Sequence, residues 1–428
     1  MGKGGGGSYI LCPHAAAGLS NRLDSDANSS VRFWPHCSAL PTTHRGQPGG
    51  KAFPPRFPHR RFMSQSCRWG ILGSAGIARK IWTAIRLSEN GHVVAVASRD
   101  ALRSRSFVEA CQAELPMQDS DGRVRQVEPL GDYDSLLARD DIDAVYVPLP
   151  TSLRRDWVIA AAEAGKHVLC EKPAANHADD LDQMISACED AGVQFMDGVM
   201  FDHASRTEAI ADSVAAGDLG SLQRVQTHFS FCGGDEFESK DIRSHSELEP
   251  HGCLGDLGWY CIRMTLWISG FELPVRVSGR SRVQIGDGVP GEFIGEMEFA
   301  DGWTAGLFCS FRSANQQTAW VSGSEGYATL DDFVLPMHGG RLTWETHRHV
   351  LDIDRCRWNF NRRSESHHVG EYSAAEPGAQ EVRMIEKMQS IVLDGPLDPN
   401  LPRRSLQTQK VLDAMRQSDI ERGQWVEP

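Results

Sequence analysis

Three short stretches of this chain carry residue types that can do chemistry. In Ala164-Gly-Lys-His-Val-Leu-Cys-Glu-Lys-Pro173, a short apolar run, His167 to Cys170, stops abruptly at Glu171, Lys172 and Pro173. A buried strand ends on two opposite charges and a proline when its tip points into a cleft, and in open α/β sheets ligands bind beyond the carboxyl ends of the strands. A lysine there can reach a reacting group. The second stretch is Gly73-Ser74-Ala75-Gly76-Ile77-Ala78, between a predicted strand and a predicted helix. A dinucleotide turn of the form G-x-G-x-x-G/A needs a tight turn, close backbone approach to a pyrophosphate, and close packing of helix on strand. Gly73 supplies the turn and Ala78 the packing position, while Ala75 replaces the middle glycine and Gly76 follows one place later. The pyrophosphate would rest on the helix N-terminus, where free N–H groups and the helix dipole favour anions. A glycine-bearing strand–helix turn is common by itself; paired with Lys172 it suggests a dehydrogenase.

The third stretch is Gly255-Asp256-Leu257-Gly258-Trp259-Tyr260. Asp256 and Tyr260 stand at i and i+4, so a helix would place them on one face. A phenol can exchange a proton with a carbonyl–alcohol pair, but its ordinary pKa of about 10 is high for work near neutrality. A nearby ammonium such as that of Lys172 would lower it by favouring the phenolate. Without Lys172, Tyr260 would read as a tyrosine packed on a helix.

The second predicted strand ends Ala97-Ser98-Arg99. An NAD enzyme usually places an acid there for the ribose 2′-hydroxyl. Ser98 and Arg99 instead suit a 2′-phosphate, so NADP is expected ahead of NAD, which stays possible; Asp100 reads as a helix cap or as a competing acid.

The elements that must hold these residues follow from periodicity. Runs at Trp69–Leu72, His92–Ala97, Ala144–Val147, His167–Cys170 and Val193–Met196 alternate with helical stretches at Ile77–Leu87, Arg103–Ala113, Trp157–Ala164 and Leu181–Glu189. That alternation means βαβ units and a doubly wound parallel sheet over 67–198. Beyond it, Val225, Thr227, Phe229 and Phe231 alternate with polar residues, as do Trp303, Ala305, Leu307, Cys309 and Phe311; Phe293–Phe299 and Gln317–Ser322 are weaker strands. Helices are expected at Leu254–Ile268, Ala379–Leu393 and Leu406–Arg422. Residues 199–428 thus read as an α+β domain with a predominantly antiparallel open sheet. Its C-terminal helices could pack back on the first domain, and its sheet has a face that could pair two subunits.

The chain has 428 residues, about 40% of them hydrophobic, and a net charge of −13. No run of 18 or more apolar residues occurs, so no membrane helix is expected. The acidic balance argues against nucleic-acid binding. The 11 cysteines form no C-x-x-C pair and no cluster with histidine at zinc spacing, so no metal site is expected. Residues 1–66 differ from the rest: a glycine run, a proline-rich end, and eight Lys and Arg against Asp24 and Asp26. A disordered extension is expected. Both an organelle transit peptide, plastid or mitochondrial, and an untargeted extension on a cytoplasmic protein stay open.

Taken together, Gly70-Ile-Leu-Gly-Ser-Ala-Gly-Ile-Ala-Arg-Lys80, Glu171-Lys172-Pro173 and Gly255-Asp-Leu-Gly-Trp-Tyr260 resemble the glucose–fructose oxidoreductase/inositol dehydrogenase/rhizopine-catabolism (Gfo/Idh/MocA) family over about residues 68–426. Tyr146-Val-Pro-Leu-Pro-Thr-Ser-Leu153 and Asp241-Ile-Arg243 look closest to plant-type uncharacterised oxidoreductases. These are similar to NADP-dependent D-xylose dehydrogenases and dihydrodiol dehydrogenases. The resemblance implies a Rossmann-type first domain, Lys172 as catalytic lysine, Asp256 as the active-site aspartate and Tyr260 as the acid/base. It implies Pro150 and Glu171 at the nicotinamide, and a sugar, polyol or diol substrate. Close relatives carry histidine where this chain has Arg154, a cation that could recruit an acidic substrate or a cofactor phosphate. His203, Arg206, Arg243 and His251 could face the substrate or simply hold structure. Two other readings stay open: a cofactor-binding sensor without turnover, and a glycosidase using NAD transiently.

Overall fold

A computed structural model describes residues 66–118, 121–337, 340–372 and 374–428. The extension expected over 1–66 lies outside the described residues except for Ser66.

Six strands form the first sheet: β1 (Cys67–Leu72), β2 (Gly91–Ala97), β3 (Glu128–Leu130), β4 (Ala144–Val147), β5 (His167–Cys170) and β6 (Phe195–Asp197). All pair in parallel, in the order β3-β2-β1-β4-β5-β6. The order reverses between β1 and β4, which opens a crevice at their carboxyl ends. β4 is buried along its whole length, as is β5 beyond His167, because helices cover both faces. Helix Ile77–Leu87 and strands β4 and β5 have the bounds that periodicity predicts. Helix Thr151–Glu163 begins six residues before the expected Trp157, directly after Pro150. Pro148 and Pro150 look like breakers, whereas a proline just before a helix is tolerated because its missing N–H would be unpaired anyway. β3 escapes periodicity because it is only Glu128-Pro129-Leu130.

The second sheet has eight strands: β7 (Leu222–Cys232), β8 (Arg276–Ile285), β9 (Val289–Glu298), β10 (Thr304–Ser310), β11 (Arg312–Gly323), β12 (Tyr327–Leu330), β13 (Arg341–Asp354) and β14 (Arg357–Tyr372). Their order is β14-β13-β12-β11-β7-β10-β9-β8, antiparallel throughout except for the parallel β7–β10 pair. β7, β9, β10 and β11 are the strands that alternation predicts. β8, β12, β13 and β14 are not, because β13 and β14 carry polar residues on both faces and β8 is rich in arginine and serine. Val225, Thr227, Leu307, Ala319 and Val321 are buried on the inner face. Helices Trp259–Ile268 and Asn400–Ile420 cover that face: Gly258 lies against Cys309, and Gly279 and Gly295 leave room for Met415.

Two features lock the halves together. Helix Gln380–Asp394 turns back on the first sheet, and its Val382, Ile385 and Met388 share a core with Trp69 and Ile81. Arg263, fully buried in helix Trp259–Ile268, bonds Asp197 at the end of β6 and Asp202, each at 2.5 Å. Two carboxylates around one guanidinium compensate its desolvation, and the bonds fix the helix carrying Tyr260 against the tip of the parallel sheet.

Candidate active site

The carboxyl ends of β1, β4 and β5 open into one cleft of about 1230 Å³, closed on the far side by β7 and the segment 241–260.

At one end lies the glycine turn. Gly73 has φ +128°, a conformation that side chains resist, and a Cβ there would come 3.3 Å from Leu149. Helix Ile77–Leu87 starts with no side-chain cap and no acid in its first turn, and nothing lies within 4 Å of a Cβ built on Gly76. Free N–H groups with open space before them fit a pyrophosphate. Ser74, Ala75, Gly76 and Ile77 line the cleft, whereas Ala78 is buried under the helix. Ser98 and Arg99 line the same end, joined by Arg103, which sequence reasoning missed. Asp100 caps helix Ala101–Glu114 by accepting from the Leu102 N–H at 2.8 Å. Its carboxylate therefore serves the helix and is not among the cleft-lining groups.

At the other end stand Glu171, Lys172, Asp256, Arg243 and Tyr260. The Lys172 ammonium donates to Asp256 Oδ1 at 2.6 Å and to the Asp256 carbonyl at 2.9 Å. Arg243 Nε meets Asp256 Oδ2 at 2.9 Å and its Nη1 bonds Asp241 at 3.1 Å. Burial alone would raise the pKa of Asp256; Lys172 and Arg243 outweigh it and hold the carboxyl at about 2. Asp256 sits in a π-helical turn, Leu254–Gly258, that leads into helix Trp259–Ile268. Such turns recur at functional sites; here both Asp256 and Tyr260 still face the cleft.

Tyr260 overturns one expectation. Lys172 Nζ lies 4.8 Å from the centre of its ring, over the face, and makes no hydrogen bond to the phenol. Burial, then the charges of Glu171 and Asp256, push the phenol well above its ordinary pKa, against a smaller opposing pull from Arg243. The expected lowering by Lys172 is outweighed: burial and the Glu171 and Asp256 charges dominate the phenol. The phenol makes no hydrogen bond to any described residue.

Other expectations are corrected by position. Arg154 is buried and gives its Nε to the Leu149 carbonyl at 2.7 Å and its Nη1 to the Pro173 carbonyl. It ties the β4 and β5 loops together at the cleft wall, so it is no loose cation awaiting an acid. His203 does not line the cleft: burial pushes its imidazole down to about 3, and its carbonyl accepts from Arg383. Arg206 is spent on Asp332 and the Thr343 carbonyl. His251 is buried, with its Nε2 2.6 Å from the Asn176 carbonyl oxygen. Pro150 lines the cleft as expected.

Sequence reasoning missed two supports. Tyr146, buried in β4, donates to Glu171 Oε1 at 2.6 Å. Glu249 accepts from the N–H and hydroxyl of Thr151 at 3.1 and 2.6 Å, tying the segment before the π turn to the start of helix Thr151–Glu163. Tyr146 alternates like any strand aromatic, so only its hydroxyl hinted at a buried acceptor. Phe229, Phe231, Leu257, Val334 and Leu335 also line the cleft, with Cys232 and Asn315 among them.

Residues 67–199 match the family described as "Oxidoreductase family, NAD-binding Rossmann fold" (GFO_IDH_MocA), and residues 207–329 match its C-terminal domain. The chain is 35% identical over 286 residues to D-xylose 1-dehydrogenase (NADP(+)) 2 of Haloferax volcanii, covering 66% of this chain and 82% of that one. It is 27% identical over 271 residues to mouse trans-1,2-dihydrobenzene-1,2-diol dehydrogenase, covering 63% and 76%. A 3-ketoreductase from Actinomadura kijaniata, solved with NADP and TDP-benzene, superposes with a TM-score of 0.68 at 25% identity, over 83% of this chain and 98% of that one.

Proposed function

Because the chain belongs to the Gfo/Idh/MocA family of oxidoreductases, we propose that it transfers a hydride between NADP(H) and a carbinol or carbonyl carbon of a sugar, polyol or diol. One observation carries the reading: a glycine turn with an uncapped helix, the Ser98–Arg99 pair, and the Lys172–Asp256–Tyr260 group open into a single cleft.

Gly73 to Ile77 would hold the pyrophosphate, and Ser98 and Arg99 a 2′-phosphate. The nicotinamide, when bound, supplies or accepts the hydride. The rest is the work of side chains. Tyr260, with its raised pKa, is a proton donor. In the reductive direction its O–H protonates the substrate oxygen, and in the oxidative direction its phenolate must be generated first. Lys172 places a positive charge beside that oxygen, and Asp256, held by Arg243, fixes where the ammonium sits. Glu171, anchored by Tyr146, would stand beside the nicotinamide. Arg154 keeps the two loop carbonyls in register.

Phe229, Phe231, Leu257, Val334 and Leu335 in the cleft lining suit a substrate with some apolar surface, as in a cyclic diol or a deoxy sugar. The dehydrogenase activities of the Haloferax and mouse relatives fall in the same sugar and diol classes. The test is an NADP reduction screen across pentoses, hexoses, inositols and dihydrodiols. Turnover of one class supports the reading; tight NADPH binding without turnover of any would favour a sensor.

A further inference from the structure

Strand β11 breaks its register beside the cleft. It pairs with β7 at Arg312 opposite Cys232, and next at Gln316 opposite Ser230. Ser313, Ala314 and Asn315 therefore stand against the single Phe231. A bulge bends a strand and re-aims its side chains, and bulges gather next to active sites. Both ends of this one are pinned. The Arg312 N–H donates to Ser310 Oγ at 3.0 Å, and its guanidinium meets Glu238 at 3.0 Å. The buried Ser230 hydroxyl donates to the Ala314 carbonyl at 2.7 Å.

Asn315 stands in the cleft lining at the end of this bulge. Residues two apart on a strand share a face, so Asn315 lies on the face of Gln317, which pairs with Phe229. The ring of Phe229 is centred 5.7 Å from that of Tyr260. Asn315 is two residues further on, about 7 Å along the strand. The two amides differ in what they hold. Gln317 donates to the Leu335 carbonyl and accepts from the Leu335 N–H, each at 2.6 Å. The exposed Asn315 amide bonds no described residue. The strands and the segment after β12 otherwise bring Phe229, Phe231, Cys232, Val334 and Leu335 to the lining. Across the cleft, Lys172 and Arg243 are spent on Asp256.

We infer that Asn315 is a specificity-determining residue whose carboxamide binds a second oxygen of the substrate, apart from the oxygen served by Lys172 and Tyr260. The inference rests on the proposed oxidoreductase activity and narrows its substrates to those carrying a second hydroxyl. A carboxamide has two donors and an acceptor, so it can donate to a hydroxyl and accept from it. Apolar neighbours pack on the substrate's carbons and keep water from that bond. An analogue without the hydroxyl leaves the amide unpaired, which is how a polar site rejects it.

The test follows NADPH oxidation by the full chain with cyclohexanone and with 2- and 4-hydroxycyclohexanone. The wild type is expected to prefer at least one hydroxyketone by about 10-fold in kcat/KM, as a hydrogen bond of ordinary strength provides. Asn315→Leu, close in size but without hydrogen bonding, should abolish that preference, mainly through KM, and keep the rate on cyclohexanone. Gln316→Ala, on the other face of β11, should keep the preference. If Asn315→Leu does not fold, Asn315→Ala replaces it with the same expected loss. NADPH binding should persist in each folded variant. If only sugars or diols turn over, the same ratio is read between the best of them and its analogue lacking one hydroxyl. A wild type without the preference overturns the inference and leaves the oxidoreductase reading standing. So does a preference that survives loss of Asn315, or an equal loss on every substrate. Turnover of no ketone, sugar or diol removes that reading, and this inference with it.

Discussion

Lys172 and Asp256, 84 positions apart, form an ion pair at 2.6 Å in which the lysine also holds the aspartate's backbone carbonyl. The carbonyl contact fixes the π turn itself as well as the side chain. The strand tip of one half thereby sets the position of the helix that carries Tyr260 in the other. Replacing Lys172 by Ala removes both contacts and the charge beside the substrate oxygen. Turnover should fall by about 10²–10⁴-fold, the range for loss of a positioned acid–base group. NADPH affinity, set at the other end of the cleft, should change far less. Steady-state kinetics with fluorescence titration of NADPH separates the two, and equal losses in both would show that Lys172 only supports the fold.

The same pair governs acid stability. The Asp256 carboxyl is held near 2, below its ordinary 3.8. A depressed pKa contributes stability that is fully present above the unfolded value, and is lost as pH falls from about 4 through about 2. The contribution is about 2 kcal/mol at neutral pH, at 1.36 kcal/mol per unit. Lys172→Met with Arg243→Met should remove this limb, so that denaturation midpoints of wild type and variant converge below pH 2. A gap of unchanged size between pH 7 and pH 2 would contradict the assignment.

Tyr260→Phe should lower kcat by about 10²–10⁴-fold with little change in thermal midpoint, because a proton donor is lost while its phenol bonds no described residue. The direction of its pKa shift gives a second measurement. Glu171 is the leading charge raising it after burial, so Glu171→Gln should bring Tyr260 ionisation to lower pH. Ultraviolet titration in a Tyr146→Phe background, compared with and without Tyr260, isolates that phenol. An unmoved titration would mean that burial alone holds it up.

Much of this site is legible in sequence because its residues punctuate elements. Lys172 follows a buried strand, Gly73 ends another, and Ser98–Arg99 ends a third, so the parallel-sheet rule sends all of them to one edge. Tyr260 is legible only beside Lys172. What escapes is whatever depends on which donor meets which acceptor. Arg154 and His203 have the right types for a site, yet one is consumed by two backbone carbonyls and the other is half-buried outside the cleft. Spacing carries no record of those partners. Lys172 likewise looks like a cation that acidifies a phenol until burial and the Glu171 and Asp256 charges are seen to outweigh it. β13 and β14 escape for another reason: alternation marks strands with one buried face, and most of this strand pair has none.

Arg154 supplies the sharpest contrast between the sequence reading and the fold. If this cation recruits acidic substrates, Arg154→Met should raise KM for acids and spare neutral sugars. The observed bonds predict something else. The substitution would leave the Leu149 and Pro173 carbonyls without their buried donor, each at a cost of about 1–3 kcal/mol. Those carbonyls belong to the loops presenting Pro150 and Lys172, so loosening them should lower kcat for acidic and neutral substrates alike. Chemical denaturation of Arg154→Met gives the stability loss, and kcat/KM ratios for paired acidic and neutral substrates give the selectivity. A stable variant with a selective loss on acids would restore Arg154 to the substrate. A less stable one with an unchanged ratio makes it the brace between the two loops.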